Sequence, residues 1–485
     1  MVYLQVVEGK VSRLRVKDAK YFALGAIKAG VPELAEGHVP NMPKMQEQLA
    51  ALSNQSKDRK ITPVLRAGDT PGTLEVDLKV KDELPLHGRI ELNGRNTSST
   101  SLLRLVSSVR YDNLWQKFHS ASLMYQVSPE NAEEVDVWAG TYMLPLPNSD
   151  AKLAFYGVGS SSNAQIASAG ALSVVGIGEI YGARLVKPLP AFDSYYHSLT
   201  LGVDYKDFRE DLFLVGSDAI VTPISYLPFM VQYGGSYKTK QSFTSFNIGA
   251  SFSVRGLGNN QAEFENKRLL AQSNYTILTS GISFTHALPW GMEVNTRWNS
   301  QLSDSPLISN EQFSLGGMQN VRGYFETEAL ADDALFGSLE LRSPHLYPGR
   351  MDTIDKLQAV VFIDGAQGWN QHVLAGSPKR YGLLSTGLGM RFQMWKYLSG
   401  VLDIGFPLLS LENSQAGDAK VHFNVATEFL EGRLFYSLSK TVQMNEYKVI
   451  LVVTTGKQNT GTCLKLCHPC WHNDLALALK LTASR

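Results

Sequence analysis

From about His87 onward, the chain consists of segments of about ten residues in which apolar and polar side chains alternate. In Ser198–Tyr205, one face carries Leu199, Leu201, Val203 and Tyr205, and the other carries Ser198, Thr200, Gly202 and Asp204. A period of two is typical of β-strands, whose successive side chains point to opposite faces. About sixteen such segments, separated by Asn, Asp, Gly, Ser and Pro, lie between residues 88 and 429. The pattern predicts sixteen antiparallel strands, with Phe429 in the last.

Two all-β architectures fit this pattern, a soluble all-β protein and a transmembrane barrel. One face of the segments carries Ser, Gly, Asp, Arg and Gln, and the opposite face is apolar and aromatic. A polar inner face is costly in a sandwich, where it would form the core, but it is expected of a water-filled lumen. Closure into a barrel also removes every unpaired strand edge. The pattern therefore favours a membrane all-β fold, a 16-stranded antiparallel transmembrane β-barrel over residues 85–430.

Composition excludes some classes of partner and of membrane element. The 485 residues include 45 basic and 45 acidic side chains, so the formal net charge is zero and nucleic acid is not an expected partner. Apolar runs are shorter than the roughly 18 residues that a transmembrane helix needs, whereas barrel strands need no such runs. Strand-like sequence follows Met1 directly, so an exported protein with this sequence would lack its leader.

Residues 1–84 have a different pattern, which predicts a small α/β module. Asn41 can cap a helix whose first turn contains Pro43, and Met45, Leu49 and Leu52 then fall on one face. A hairpin follows, with one strand over residues 61–66 and a second, regularly alternating strand over residues 74–80.

A long polar connection of about residues 302–332 interrupts the strands, and connections of that length usually have a function. It contains Gly316, Gly317 and Gly323, which permit tight folding, and one arginine, Arg322, between apolar neighbours. A guanidinium in such a place is expected to bind a carboxylate. Downstream, a lone aspartate, Asp364, interrupts a strongly apolar strand. From spacing alone, a surface turn and an unrelated strand-end aspartate remain the alternative.

Several motifs of the chain resemble those of a known superfamily of outer-membrane assembly and secretion proteins. They are Val321–Tyr324 in the loop before the twelfth strand, the strand that ends in Asp364, and the segments Leu339–Pro344, Gly387–Gly389 and Asp403–Leu408. Within that superfamily, the chain is most similar to two-partner secretion transporters of the haemolysin secretion/activation type. Residues 41–82 resemble the second half of a periplasmic POTRA domain, so residues 1–84 are interpreted as a partial POTRA domain.

The resemblance implies a monomeric pore in the bacterial outer membrane, in contact with outer-membrane lipid, with no cofactor, no metal and no enzymatic activity. The POTRA module would capture an unfolded secreted exoprotein in the periplasm, and the barrel would pass it outward. Two alternatives have different requirements. An assembly insertase of the same superfamily would carry more POTRA domains, and a passive porin would need neither the module nor the loop motif.

The resemblance also implies that the long loop folds back into the lumen as a tether, with Gly316 and Gly317 as its hinge. The tether motif comprises Val321, Arg322, Gly323 and Tyr324. On the barrel wall, Asp364 shares a strand face with Phe362, so it points inward if the apolar face meets lipid. We expect Arg322 to lie within hydrogen-bonding distance of Asp364, with Glu340 as a second acidic candidate. Ala366 stands where the family has glycine, which calls the backbone room at that position into question.

Residues 431–485 lose the alternation and are interpreted as an atypical extension. They contain all three cysteines, Cys463, Cys467 and Cys470, in a C-x3-C-x2-C spacing that is also found in iron–sulfur sites. His468 and His472 could complete a zinc site instead. Too little chain follows for a radical-SAM domain, so we expect the cysteines to bind no metal.

Overall fold

The computed structural model describes residues 9–147, 149–161, 167–169, 172–174, 176–212, 220–346, 353–430, 451–454 and 476–479. Within these ranges, a small N-terminal module precedes a closed barrel. None of the helices described is long and apolar enough to cross a membrane.

The N-terminal module is a three-stranded sheet covered by two helices. Its elements are β1 (Lys10–Lys17), α1 (Leu24–Ala29), α2 (Met42–Asn54), β2 (Arg59–Ala67) and β3 (Thr73–Asp82). Strand β3 lies in the centre, parallel to β1 and antiparallel to β2. The sequence predicted α2 and the β2–β3 hairpin; the structure adds β1 and α1, which complete a β-α-α-β-β unit.

Helix α2 begins where the sequence predicts. The side chain of Asn41 accepts a hydrogen bond from the backbone N–H of Lys44 at 3.2 Å, which satisfies one of the free donors of the first turn. Met45, Leu49 and Leu52 are buried against the sheet. The short apolar faces of two helices and one sheet therefore form the core of the module.

One buried carboxylate of the module is held by cations of the same sheet. Asp77 accepts hydrogen bonds from Lys17 and Arg15, each at 2.9 Å. The hydrogen bond from Lys17, followed by the attraction of Arg15, lowers the pKa of Asp77 below its usual value.

The barrel is a ring of antiparallel strands in which the last strand pairs with the first. Its strands are β4 (Leu86–Asn93), β5 (Arg104–Leu114), β6 (His119–Val127), β7 (Asp136–Pro145), β8 (Lys152–Ser160), β11 (Gly178–Pro188), β12 (Tyr195–Leu212), β13 (Ile220–Tyr226), β14 (Pro228–Lys238), β15 (Ser242–Ser253), β16 (Thr276–Ala287), β17 (Glu293–Ser303), β20 (Asp333–Arg342), β21 (Ile354–Trp369), β22 (Arg380–Met394), β23 (Leu398–Pro407) and β24 (Lys420–Leu430). Because β13 and β14 both pair with β12 and are separated only by Leu227, they form one interrupted strand, and the ring has sixteen. The predicted 16-stranded antiparallel barrel is confirmed.

Shorter elements belong to the connections. A hairpin joins β9 (Ala167–Ala169) and β10 (Leu172–Val174), helix α3 spans Gln261–Lys267, and the long loop contains β18 (Phe313–Leu315) and β19 (Ala329–Ala331). Beyond the barrel, β25 (Leu451–Thr454) and β26 (Ala476–Leu479) form a separate two-stranded sheet. The three cysteines and the two histidines that we expect to bind no metal lie outside the described residues.

The two faces of the strands differ as the alternation predicts. On β12, Leu201 and Tyr205 are each 43% exposed on the outer face, whereas Asp204 is buried on the inner face. On β21, Val361 and Ile363 point outward, and Asp364 points inward, where it is fully buried. Apolar side chains thus form the outer surface of the barrel, and the polar side chains face the lumen.

The module is attached to the β5–β6 turn, at the end of the barrel where β4 begins, here called the module end. The side chain of Gln116, in the β5–β6 turn, accepts from the backbone of Ala23 at 2.9 Å and donates to the backbone of Tyr21 at 3.0 Å. The guanidinium carbon of Arg59 lies 4.9 and 5.2 Å from the ring centroids of Phe22 and Phe118, which stack on each other at 6.2 Å. Burial lowers the pKa of Arg59. These contacts fix the module against the barrel wall.

Closure of the barrel by residues up to Leu430 leads to a first prediction. Truncation after Leu430 should leave a folded, heat-modifiable barrel in the membrane fraction, because β24 already pairs with β4 from Asn424 to Leu430. On an SDS gel, the folded barrel gives a band that shifts on heating. Truncation before Lys420 should abolish this band, because it removes β24 and opens the ring. Loss of the folded band in the first variant would show that the barrel needs residues 431–485.

Candidate functional site

The loop between β17 and β20 enters the lumen from the end opposite the module, here called the far end. Strands β18 and β19 pair inside the loop, so its tip is held as a folded hairpin. The tip residues Val321, Arg322 and Tyr324 are buried, with 1% of Arg322 exposed. The sequence predicted a tether loop inside the barrel, and the loop does lie inside the ring of strands.

Arg322 and Asp364 form a two-pronged ion pair, the contact that the sequence predicts. Nε of Arg322 donates to Oδ2 of Asp364 at 2.7 Å, and Nη2 donates to Oδ1 at 2.8 Å. The backbone N–H of Arg322 donates to the same carboxylate at 3.1 Å. Asp364 lies on β21 and is fully buried, so the pair is shielded from bulk water. A planar guanidinium fits this geometry, and an ammonium group does not.

Two further carboxylates complete the binding site of the guanidinium. Nη1 of Arg322 lies 2.5 Å from Oε1 of Glu340, as the sequence predicts, and 3.3 Å from Oδ2 of Asp403, which the sequence analysis does not assign. The ring of Phe362 lies under the guanidinium, 3.5 Å from ring centroid to Cζ, so it adds a cation–π contact. The wall partners therefore come from three strands, β20, β21 and β23.

Two wall arginines balance the acidic groups. Arg391 on β22 lies 2.5 Å from Asp403 and 3.1 Å from Glu340. Arg342 lies 2.7 Å from Glu340. If the loop left, Glu340 and Asp403 would keep their pairs with Arg342 and Arg391, whereas Asp364 would lose the guanidinium that pairs with it.

The loop backbone touches the wall at Gly323. Its φ is +96°, in the left-handed region, and its N–H donates to Nε2 of His422 on β24 at 2.9 Å. A Cβ on Gly405 of β23 would lie 2.5 Å from the backbone nitrogen of Gly323. Two backbones can approach so closely only because neither residue carries a side chain. The sequence did not assign His422 to the loop site, and it named Gly405 only as part of the segment Asp403–Leu408.

Tyr324 and Val321 anchor the tip in an apolar cluster. The hydroxyl of Tyr324 donates to the carbonyl of Leu409 at 2.7 Å and accepts from the backbone N–H of Leu384 at 3.3 Å. Both tip residues pack with Leu315 and Phe336, and Ala366 lines the same cluster. The wall therefore accommodates Ala366. The glycine that the loop does require is Gly368, because a Cβ there would lie 2.5 Å from a methyl group of Leu315.

Gly316 and Gly317 adopt the conformation expected of a hinge, with φ of +97° and +94°. A Cβ on Gly317 would collide with the carboxylate of Glu326. That carboxylate accepts from the backbone of Met318 at 2.9 Å and pairs with Arg95 at 3.3 Å, just beyond β4. The turn is therefore fixed to the first strand as well as to the twelfth and later ones.

A second ion pair holds the base of the loop at the far end. Asp332 is fully buried and binds the guanidinium of Arg268, which follows α3, as well as the backbone N–H groups of Leu307 and Gln371 at 3.1 and 2.8 Å. Next to it, Phe264 of α3 packs with Tyr226, Tyr275 and Leu307 among side chains from β7, β8, β11, β12, β13 and β16. This apolar cluster fills the far end of the lumen.

Sequence reasoning found Arg322, Asp364 and Glu340, but missed Asp403, His422, Gly405, Arg268 and Asp332. Asp403 did carry a signal, since it interrupts an apolar strand and begins the segment Asp403–Leu408 of the family resemblance. These residues are far apart along the chain, so the sequence does not show which of them lie together. Chemically, the arrangement is a non-covalent lock in which carboxylates, a ring and backbone groups hold one arginine-bearing loop.

A closed sixteen-stranded barrel with a loop bound inside it defines the class of the protein, a β-barrel of the outer-membrane assembly and secretion type. The sequence of residues 72–392, more than half of the chain, matches the family described as haemolysin secretion/activation protein ShlB/FhaC/HecB. The chain belongs to this family of two-partner secretion transporters.

Solved structures show the same fold at low sequence identity. CdiB from Escherichia coli has a TM-score of 0.65 and 18% identity, over 87% of this chain and 77% of that chain. BamA from Haemophilus ducreyi lacking POTRA domains 1-3 has a TM-score of 0.60 and 15% identity, over 87% and 85%. CdiB from Acinetobacter baumannii has a TM-score of 0.59 and 15% identity, over 87% and 74%. No curated protein sequence gives a significant match.

The close approach of the loop to the wall leads to a second prediction. Gly405→Ala should unseat the tip, because the new Cβ would lie 2.5 Å from the backbone nitrogen of Gly323. We expect a larger single-channel conductance and new trypsin cleavage after Arg322. Gly140→Ala is the matched control, since its nearest neighbour would be 4.0 Å away. Equal conductance and equal protection from trypsin in both variants would show that the loop does not depend on this contact.

Proposed function

We propose that this protein is the outer-membrane pore that secretes, and thereby activates, a large partner exoprotein such as a haemolysin or adhesin. In this proposal the transport step uses no cofactor and no catalytic residue, and the protein acts as a monomer surrounded by outer-membrane lipid. The observation that supports it most directly is the loop that Arg322 holds inside the lumen. A pore for an unfolded chain needs an obstacle that keeps the lumen closed at rest and can be displaced.

In this proposal the ion pairs of Arg322 hold the loop in the lumen, and other arginines of the wall allow the loop to leave. Removal of one partner from a buried ion pair usually costs about 3–5 kcal/mol, because the other charge is left uncompensated. The two remaining wall arginines, Arg342 and Arg391, would lower that cost when the loop moves, since they stay beside Glu340 and Asp403. The loop therefore has one preferred position in the lumen. When it leaves that position, Arg342 and Arg391 still neutralise part of the negative charge of the wall.

We further propose that the N-terminal module is a POTRA-type domain that captures the exoprotein in the periplasm. Its sheet has the order β1-β3-β2, so β2 is an edge strand beside α2. An extended polypeptide can add to such an edge as a further strand. The contacts of the module with the β5–β6 turn would then hold the captured chain at the module end of the barrel.

An outer-membrane assembly insertase is the second candidate function, because BamA from Haemophilus ducreyi shares the fold. The two functions differ in their substrate, which is one secreted exoprotein in the first case and many barrel proteins in the second. Depletion of the protein distinguishes them, since loss of an insertase lowers the amount of unrelated outer-membrane barrels. A passive porin fits less well, because two ion-paired anchors and an apolar cluster obstruct this lumen.

The third prediction tests the lock in secretion. Arg322→Ala should lower secretion of the partner exoprotein about tenfold or more, because the loop tip loses all of its ion pairs. Arg322→Lys should restore only part of it, since lysine cannot form the two parallel hydrogen bonds to Asp364. The measurement is the amount of exoprotein in the medium relative to the amount of folded, heat-modifiable barrel.

Arg184→Ala is a matched control for this test. Arg184 makes a similar bidentate pair with Asp204, at 2.6 and 2.8 Å, but between β11 and β12 and without a loop residue. We expect this variant to secrete normally. Normal secretion by Arg322→Ala, or an equal loss in both variants, would contradict the special role of the loop.

The fourth prediction concerns the module. Deletion of residues 1–84 should abolish secretion while the barrel still inserts and conducts, because the ring of strands begins at Leu86. Conductance in planar bilayers provides the control for insertion. Undiminished secretion by this variant would place exoprotein recognition in the barrel.

A further inference from the structure

Three potential metal ligands meet where the module joins the barrel. Asp58 precedes β2 of the module, His87 lies at the start of β4, and Asp112 lies near the end of β5. Nε2 of His87 is 3.2 Å from Oδ2 of Asp58 and 3.4 Å from Oδ2 of Asp112. One ligand atom from each residue lies within 4.8 Å of the other two. The sequence assigns no metal here, because the three residues are widely separated along the chain.

The spacing of these atoms matches that of ligands around a small divalent ion. Zinc binds histidine nitrogen and carboxylate oxygen at about 2.0–2.2 Å in a tetrahedron, so neighbouring ligand atoms are about 3.3–3.5 Å apart. The two distances from His87, 3.2 and 3.4 Å, lie within or about 0.1 Å below this range. Three protein ligands leave a fourth position for water. The side chains of His87, Asp58 and Asp112 are 24%, 8% and 30% exposed, so solvent can reach that position.

Neighbouring groups hold the carboxylates in place. The backbone carbonyl of Asp58 accepts from the N–H of Glu83 at 2.8 Å, and the N–H of Asp112 donates to the carbonyl of Pro85 at 2.8 Å. Ser120 donates to Oδ1 of Asp112 at 2.5 Å, which leaves Oδ2 directed towards His87. Partners that orient a ligand in this way are typical of metal sites.

We propose that Asp58, His87 and Asp112 bind a divalent transition-metal ion of the zinc type and so clamp the module to the barrel. Because Asp58 belongs to the module and the other two to barrel strands, an ion bound to all three restricts rotation at the 83–85 connection. The clamp would add to the contacts of Gln116 and Arg59 on the same side of the module. The ion would be structural, and exoprotein secretion by the loop mechanism does not depend on it.

Arg110 is the group that competes with a metal for this site. Its Nε lies 2.9 Å from Oδ2 of Asp112, the oxygen directed towards His87. A metal must displace this contact with Arg110. Arg110→Gln should therefore strengthen zinc binding, whereas a simple ion pair would not respond in this way.

The fifth prediction is a binding experiment on the full chain in detergent. Cys463, Cys467 and Cys470 are changed to serine, so that residues 431–485 offer no thiolate. After treatment with a chelator, we expect one Zn²⁺ per chain by calorimetry, and a cobalt absorption band between about 500 and 650 nm that is typical of four-coordinate sites. His87→Ala and Asp58→Asn should weaken binding about a hundredfold, and Ser120→Ala about tenfold. His38→Ala, an exposed histidine of the module, should change nothing.

Heat-modifiable migration and conductance confirm that each variant is folded, so a loss of metal is not a loss of structure. Spin labels at Lys57→Cys and Lys152→Cys report the position of the module, and zinc should narrow the distribution of distances between them. No stoichiometric zinc, or equal binding by His87→Ala and His38→Ala, would overturn the site. If zinc binds but the distribution of distances between the labels does not narrow, the ion does not clamp the module to the barrel. Either result leaves the secretion test with Arg322 unaffected.

Discussion

The bidentate ion pair between Arg322 and Asp364 is the interaction on which the arrangement of the lumen depends. Both groups are almost completely buried, and a buried charge without a partner is strongly destabilising. The wall therefore has to present its acidic groups where the loop tip arrives, and it does so from β20, β21 and β23. Arg391 and Arg342 also pair with Glu340 or Asp403, so these two carboxylates keep a partner when the loop is absent. Asp364 pairs with Arg322 itself, which makes it the wall group most dependent on the loop.

Steric room decides where that charged tip can lie. The tip approaches the wall through glycine on both sides, Gly323 in the loop and Gly405 on β23, and the loop strand β18 fits against Gly368. The apolar residues around Tyr324 then fill the remaining space. Electrostatic attraction thus determines which wall residues the loop tip binds, and the missing Cβ atoms determine how closely the tip approaches the wall. Either alone would leave the loop with several positions of similar energy.

The two ends of the barrel are built differently. At the far end, α3 and the base of the loop pack into an apolar cluster, next to the buried pair of Asp332 with Arg268. At the module end, the contacts are polar and aromatic and involve the β5–β6 turn and His87 at the start of β4. A chain entering from the module end would therefore meet the loop tip before the apolar cluster. The anchors of the loop are thus arranged in series along the lumen.

Sequence by itself determined the strand number, the inward and outward faces and the core of helix α2, because periods of two and of 3.6 residues are local. The pair Arg322–Asp364 was expected from a lone charge in an apolar strand together with the family resemblance, since spacing alone left a surface turn as the alternative. Only the tertiary structure brought Asp403, His422 and Gly405 to the loop, and Asp58, His87 and Asp112 to one point, because closure of the ring sets which strands face each other. Strand β1 and helix α1 were also missed, since their apolar patterns are too short to stand out. The local period of the sequence thus determines the strands and helices, and the pairing of distant strands determines which residues come together in the lumen and at the module end.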